Sequence, residues 1–468
     1  MEVVCQGCLD RDQRIAALEL RVAELEAQVR ELLARLNQNA ANSSIPPSAN
    51  PPGAVKPVVK TPTGRKPGGQ PGHRGHRRTR LSAERVTAVI PFVPTACEQC
   101  GTALSAEVAA GDPEPKWHQV VEIAPTPVEV TEYQGHGRCC SSCTHVTWAT
   151  IPREHLRVGV GPRLAAFMSY LSGSFHVGKR GVREIVAGVF DLPLSLGTVS
   201  NAEAEMSAAL AAAHAEAQAT VQAATTKNVD ETGWKIAGDL CWLWAAATAT
   251  VACFVIHARR NVEGLAALLG EKIHGVVTSD RWHAYRKRIP LRRRQLCWAH
   301  LKRDFQKLVD RGGAAESIGT AALVTVVKVF EVWHGFRGGG ARSTLQRHLA
   351  PIRAELRETL EAGSGCADKK AATFCKNVLA LEPALWTFAH VEGVEPTNNH
   401  AERVLRRGVL WRKNAFGCHS EKGCRFVERI LTVVQTRRLQ GRNVLEFLRE
   451  SLLAHRAGLS SPRLLEIG

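Results

Sequence analysis

Apolar residues near the start of the chain, Ile15, Leu18, Val22, Leu25, Val29, Leu32 and Leu36, follow one another at alternating intervals of three and four, with Glu and Arg filling the flanks. This 3.5-residue period is the seam of a coiled coil, so residues 1–40 are expected to form a leucine-zipper-like helix that pairs with a second copy. A single amphipathic helix folded back on its own domain is the plainer alternative. Helical spacing returns over 156–222 and breaks at Asp191-Leu192-Pro193. From about Thr225 the period falls to two. Asn228 to Thr232, Leu240 to Ala245 and Thr250 to Ile256 read as three strands joined by tight turns, Asn261 to Leu269 as a helix, and Val276 to Ser279 as a buried strand. Beyond them, Ala321 to Trp333, Leu345 to Ala362 and Ala371 to Phe388 carry Leu, Val and Trp at helical intervals, and Pro396-Thr397-Asn398 marks a further helix start.

Composition adds a linker and a field. From Asn42 to Arg80 the chain turns to Pro, Gly, Ser and basic residues, with no acid after Ser43, which makes 41–85 a tether rather than a domain. Arg65, Lys66, Arg74, Arg77 and Arg78 in its second half suit an arm that lies along a phosphate backbone and releases counterions; a solvated tether is the alternative. Against 61 Lys and Arg stand 44 Asp and Glu, and the net charge of +17 favours a polyanion, with nucleic acid first. No apolar run approaches the roughly 20 residues that span a bilayer. The first residues lack the charged and apolar regions of a secretory signal, so a cytoplasmic, nucleoid-associated protein without a membrane partner is expected. With DNA as partner, Arg180 to Phe190 and the stretch from Gly197 resemble a helix-turn-helix that carries Thr198, Ser200 and Asn201 toward the duplex, although helical hairpins are common without that role.

Fourteen cysteines in such a compartment read as reduced thiols and metal ligands. Cys97-Glu98-Gln99-Cys100-Gly101 and Cys140-Ser141-Ser142-Cys143 are two C-x-x-C knuckles about forty residues apart, with strand-like Val120, Val121, Val128 and Val130 between them. The spacing predicts a small β-rich module over 86–155 with one structural Zn²⁺ on Cys97, Cys100, Cys140 and Cys143, worth on the order of 10 kcal/mol to its folding. Cys139 is an alternative to Cys140. Cys5 and Cys8 have no companion pair and read as free thiols.

Three acids carry the chemistry. Asp230 ends the first strand of the meander, Asp280 closes the run Gly275 to Ser279, and Glu402 lies in Pro396-Thr397-Asn398-Asn399-His400-Ala401-Glu402-Arg403. Strand-strand-strand-helix-strand is the opening order of a ribonuclease-H-like fold, in which the first and fourth strands lie side by side and bring Asp230 next to Asp280. Two strand-end aspartates and a helical glutamate suit a pair of hard cations held against a phosphodiester. Neighbours on a strand face opposite ways, so only one of Asp230 and Glu231 serves the site, and spacing does not say which. Asn398, Glu402 and Arg406 share a helix face, which sets the carboxylate between an amide suited to metal and a guanidinium suited to phosphate. Arg403, Arg406, Arg412 and Lys413 are candidates to hold phosphates, and Trp282, His283 and Tyr285 to brace the strand. Cys297-x-x-His300 has ligand spacing but no companion pair, and reads as a packed Cys and a hydrogen-bonded His. Glu402 comes 122 positions after Asp280, which implies a helical insertion over about 306–395.

Asp230-Glu231-Thr232-Gly233-Trp234, Ser279-Asp280, Cys297-Trp298-Ala299-His300-Leu301-Lys302-Arg303-Asp304-Phe305, and Thr397-Asn398-Asn399-His400-Ala401-Glu402-Arg403 followed by Trp411-Arg412-Lys413-Asn414 resemble the insertion-sequence-66 family of bacterial DDE transposases. The order of the whole chain is similar too: zipper, Lys-Pro-Gly-Gly-Gln-Pro-Gly-His linker, zinc module, ribonuclease-H-like core over 223–420 and a short C-terminal helical segment over 421–468. The resemblance implies an α/β fold and places the catalytic acids on Asp230, Asp280 and Glu402 rather than Glu231. It implies two Mg²⁺, or Mn²⁺, on those acids, and as partners the terminal inverted repeats, target DNA and helper proteins of the same element. Water would cut a strand at the element's end and the freed 3′-OH would attack the target. The run Cys139-Cys140-Ser141-Ser142-Cys143 departs from the family's single C-x-x-C. Readings of other classes are a zinc-containing DNA-binding regulator and a structure-specific nuclease on the same fold.

Overall fold

The computed structural model describes residues 6–36, 80–107, 112–121, 128–152, 159–337 and 339–465. They divide between a unit of residues 57–130 and a larger one holding 1–56 and 131–468. In the smaller unit, regular structure among the described residues is limited to a turn at Ala83–Arg85 and one bridge, Ala96 with Ala103, around Cys97. Val120, Val121, Val128 and Val130 are exposed and pair with no strand. The strand reading of these four valines is therefore corrected; among the described residues of 86–155 the paired strands are Gly137–Cys139 and Val146–Trp148. Alternation favours a strand only where a neighbour offers a ladder, and among the described residues none does so for these valines.

The larger unit opens with α1 (Gln6–Leu36), one unbroken helix on which Ile15, Leu18, Val22, Leu25, Val29 and Leu32 are all exposed. A hairpin of β1 (Gly137–Cys139) and β2 (Val146–Trp148) follows. Then come α2 (Pro162–Phe175), α3 (Lys179–Phe190), α4 (Leu196–Ala209) and α5 (Ala211–Ala223). The break between α3 and α4 forms where expected: Asp191 takes the left-handed conformation at φ 51°, and the Ser195 hydroxyl accepts the Thr198 N–H to start α4.

Five strands make the sheet: β3 (Thr226–Ile236), β4 (Asp239–Ala247), β5 (Ala252–His257), β6 (Val276–Ser279) and β7 (Arg294–Leu296). Their order is β5-β4-β3-β6-β7, with β3 antiparallel to β4 and parallel to β6, so the first and fourth strands of the sheet are neighbours as the sequence implied. Between them run α6 (Val262–Leu269), capped by the Asn261 side chain, and α7 (His283–Arg288). After β7 come α8 (Trp298–Arg311), α9 (Ala314–Arg337), α10 (Arg342–Ser364), α11 (Lys369–Leu379) and the short α12 (Thr387–His390). The chain then returns to the sheet as α13 (Asn399–Ala415), α14 (Glu421–Leu439) and α15 (Val444–Arg456).

Two hydrophobic cores result. The first joins the sheet to α2–α5 and α13–α15, so the helical region before the sheet and the C-terminal segment after it share one interior with the strands. Polar bonds lock α14 to the sheet edge. Its side chains at Glu428, Thr432 and Thr436 accept the N–H groups of Ile256 (2.6 Å), Phe254 (3.0 Å) and Ala252 (3.1 Å), the outward-pointing donors of β5. An edge that would invite foreign strands is thereby closed. The second core belongs to α8–α12, with Leu296 at the end of β7 packed into it.

Candidate active site

The two faces of β3 look at different neighbours. Asp230 pairs with Ala245 and Thr232 with Leu243, and this is the face on which α13 packs: a Cβ on Gly408 would come within 2.3 Å of the Leu243 side chain. Glu231 pairs with Trp244, whose ring lies against Gly264 of α6 on the other side. Consecutive carboxylates therefore serve separate environments. Buried Glu231 accepts from Arg260 Nε (2.8 Å) and from the Tyr285 hydroxyl.

Asp230 lies within β3 rather than at its end, as the sequence had suggested, and parallel register sets it against the ends of the shorter β6 and β7. Asn228 is level with Thr278 and Ser279 with Leu296, so continuing each ladder brings Asp230 level with Asp280, and Asp280 level with Cys297. Asp280 Oδ1 accepts the Trp282 N–H at 2.8 Å, and its Oδ2 lies 3.8 Å from the Arg260 guanidinium. Arg260 itself stacks on Trp242 at 5.1 Å and Trp282 at 4.5 Å.

Glu402 sits in the first turn of α13, and Asn398 determines where that turn goes. The Asn398 side chain is fully buried; its amide donates to the Val229 carbonyl at 2.8 Å and its oxygen accepts from Asn228 at 3.2 Å. The start of the helix is thus tied to the residue before Asp230. This corrects the expectation that Asn398 presents its amide to a metal, because both ends of the side chain are used inside the protein. Arg412 is similarly engaged, donating to the Gly233 carbonyl (2.6 Å) and Thr232 Oγ1 (3.2 Å), while Arg403, Arg406 and Lys413 are exposed on α13. Arg65, Lys66, Arg74, Arg77 and Arg78 lie outside the described residues. Tyr285 is buried against Glu231 and is no surface brace; Trp282 is partly exposed, and His283 is exposed with its ring 4.7 Å from that of Trp282. On α4, the Ser200 hydroxyl is held by Lys179 at 2.9 Å and Asn201 is exposed.

Negative charge is concentrated here. Burial pushes the Asp230 carboxyl well above the usual carboxylate range, and Glu231, Asp280 and Glu402 push the same way, against one favourable backbone N–H from Glu231. Burial and then Asp280 raise Glu231 also, offset by Tyr285 and Arg260. Glu402 Oε1 is 3.7 Å from His300 Nδ1, and both atoms are screened from solvent with no hydrogen-bond partner. Cys297 Sγ completes a group of three ligand atoms, all within 4.8 Å of one another, and accepts the Asn398 N–H at 3.1 Å. The expected hydrogen-bonded His300 is corrected: the first turn of α8 aims its ring at the first turn of α13, where it meets a carboxylate too far away to bond.

The two C-x-x-C turns share a backbone pattern, each within its own unit. Gly101 N–H donates to Cys97 O and Cys97 N–H to Thr102 O; likewise Thr144 N–H donates to Cys140 O and Cys140 N–H to His145 O, all at 2.9 Å. Gly101 and Thr144 both have positive φ, 75° and 59°. Cys140 thus corresponds to Cys97, and Cys139 Sγ is directed to the Thr144 carbonyl at 3.3 Å. Hydrogen bonds from the Thr102 side chain and backbone lower the exposed Cys100 thiol to about 7, and backbone bonds from Ser142 and Cys143 lower Cys140.

Arg260 had no mark in the sequence, since it lies in a turn without period or motif. Asn228 had one, being two residues from Asp230 and so on the same face.

Residues 157–425 match the family model described as Transposase IS66 family, and residues 10–79 match a family of unknown function, DUF6444. Among curated proteins of Sinorhizobium fredii (strain NBRC 101917 / NGR234), the uncharacterized protein y4qI is 30% identical over 164 residues, covering 33% of this chain and 30% of that protein. A second, the uncharacterized protein y4hP, is 24% identical over 392 residues, covering 74% of this chain and 68% of that protein.

Proposed function

The chain belongs to the transposase IS66 family, and on that premise we propose that it cuts and joins DNA in a ribonuclease-H-like core through Asp230, Asp280 and Glu402. One observation carries the assignment: the face of β3 that bears Asp230 is the face covered by α13, whose first turn bears Glu402, with Asn398 clamping helix to strand. The sheet, in which β3 and β6, its first and fourth strands along the chain, are parallel neighbours, supports the fold.

The acids suit hard divalent cations. Their donors are carboxylate oxygens, and the mutual repulsion that raises Asp230 is what a cation relieves. Bound Mg²⁺ or Mn²⁺ would supply Lewis-acid charge at the reacting phosphate and make a water molecule acidic enough to attack near neutral pH. The protein's part is placement. Asp230 and Asp280 are set by strand register, Glu402 by the Asn398 clamp, and Arg260 offers one fixed positive charge beside Asp280. In the first step a bond forms from water to phosphorus at the element's end as the bond to the 3′ oxygen breaks; in the second, the freed 3′-OH attacks a target phosphodiester and displaces its 3′ oxygen. Each step exchanges one P–O bond for another, so no outside energy source is needed.

Arg403, Arg406 and Lys413, exposed on the helix of Glu402, are our candidates to hold DNA phosphates, with the basic linker along the duplex. The exposed seam of α1 supports pairing with a second copy. For structural Zn²⁺ the matched turns favour Cys97, Cys100, Cys140 and Cys143 over any set containing Cys139. No helix among the described residues is long and apolar enough to cross a membrane, and we place the protein with DNA in the cytoplasm.

Asp230→Asn tests the proposal on DNA that carries the element's ends. Strand cleavage is expected to fall by at least about a thousandfold while binding of the ends persists in a gel-shift assay. Undiminished cleavage would sink it.

A further inference from the structure

Glu402 has a second set of neighbours besides the aspartates. Cys297 Sγ, a ring nitrogen of His300 and a carboxylate oxygen of Glu402 form a compact triangle, no pair farther apart than 4.8 Å. Within it, Glu402 Oε1 and His300 Nδ1 are shielded from water and unpaired at 3.7 Å, an arrangement that costs free energy unless something joins them. Cys297 stands at the N-terminus of α8, and the Asn398 N–H aimed at its sulfur is the kind of bond that orients a metal-bound thiolate. Thiolate, imidazole and carboxylate together make a borderline-soft donor set. Such a set selects zinc-class ions over Mg²⁺, which prefers oxygen alone and keeps much of its water.

We propose that Cys297, His300 and Glu402 form a site for a thiophilic divalent cation of the zinc class, and that filling it withdraws Glu402 from Asp230 and Asp280 and suppresses strand cleavage. Binding stands on the triangle itself; suppression rests on the function proposed above. Three protein ligands leave a fourth tetrahedral position to water.

Cobalt(II) is the probe for binding, titrated into the full-length chain and into its Cys297→Ser and His300→Ala variants. The unaltered chain is expected to take up one more ion per chain than either variant, with a stronger thiolate-to-cobalt charge-transfer absorption. His300→Ala keeps the thiol, so its loss of the same ion guards against Cys297→Ser failing merely through misfolding. Equal uptake by all three overturns the site. For suppression, zinc is added to cleavage assays run in Mg²⁺: the unaltered chain should slow by about tenfold or more and His300→Ala by less than about twofold, relative to each protein without zinc. An extra ion combined with equal zinc sensitivity overturns the regulatory half. A chain that binds the extra ion yet cuts DNA under no condition refutes the function proposed above, and the ion count still decides the site.

Discussion

The core beneath the sheet and the core of the insertion are assembled by different means. In the first, strands and helices are joined by directed polar bonds from helix side chains to strand backbone: Thr432 and Thr436 to β5, Asn398 and Arg412 to β3. In the second, α8–α11 pack Leu, Val and Trp against one another, and polar bonds to the sheet fall on β7, where Gln295 donates to the Leu385 carbonyl (3.1 Å) and Thr387 donates to Arg294 O; Trp298, at the start of α8, donates to the same Leu385 carbonyl at 2.8 Å. Asp230 and Glu402 are positioned by the first core, Cys297 and His300 by the second, and the seam between them is the bond from Asn398 N–H to Cys297 Sγ with that from Trp298 N–H to Pro396 O at 2.9 Å. Apolar packing tolerates small shifts; hydrogen bonds of fixed geometry do not. The acids of β3 and α13 are thus held by bonds of fixed geometry, from Asn398 to the Val229 carbonyl and from Arg412 to the Gly233 carbonyl.

The comparison can be broken most severely inside the insertion. Leu360 is fully buried in the second core, and Leu360→Ala is expected to cost about 2–5 kcal/mol by transfer and cavity terms. Urea unfolding followed by hydrogen exchange should show α9–α11 opening early while the strands stay protected; uniform loss of protection would mean that the two cores behave as one. A smaller effect is expected at the seam. Asn398→Ala removes the side-chain donor from the Val229 carbonyl and leaves the Asn228 amide only its long bond to the Thr397 carbonyl (3.5 Å), at about 1–3 kcal/mol. Its cleavage rate, measured under single-turnover conditions where the protein is fully folded, should drop by more than Leu360→Ala lowers it. If the insertion variant loses more, apolar packing rather than the clamp sets Glu402.

Smallest is an acid-sensitivity effect confined to the first core. His176 ends α2 in the left-handed conformation, with both ring nitrogens unpaired, and burial followed by Arg407 and Arg438 lowers it from 6.5 to about 4. A histidine whose folded value is depressed contributes stability that is complete above its unfolded value and fades as pH falls from 6.5 toward 4. His176→Asn, which suits the same backbone conformation, should remove about 1 kcal/mol of that acid loss once partial exposure is discounted. Thermal melts at pH 7 and pH 4.5 measure it, and an unchanged difference between them would show that another group governs the acid limb.

Local order was legible in the residues because it arises locally. A period of 3.5 predicted the helix at Gln6–Leu36 and a period of two the meander; the helix expected over Asn261 to Leu269 forms as α6, and the strand sequence implied that β3 and β6 are neighbours. The same logic failed at Val120, Val121, Val128 and Val130, which meet no partner strand among the described residues. Residue type and local setting also singled out Asp230, Asp280 and Glu402, although Asp230, expected at the end of its strand, lies inside β3, which runs on to Ile236 because Gly233 is tolerated within the ladder to β4. What alternation left open was whether Asp230 or Glu231 turns toward Glu402, for period says only that the two diverge. Tertiary packing decided that, by laying α13 on the Leu243 face and α6 on the Trp244 face. It also turned Asn398 from a presumed ligand into a clamp, and brought Arg260 and His300 to acids 20 and 102 positions away along the chain. Periodicity is a property of one segment, whereas the identity of a face depends on what another segment puts against it.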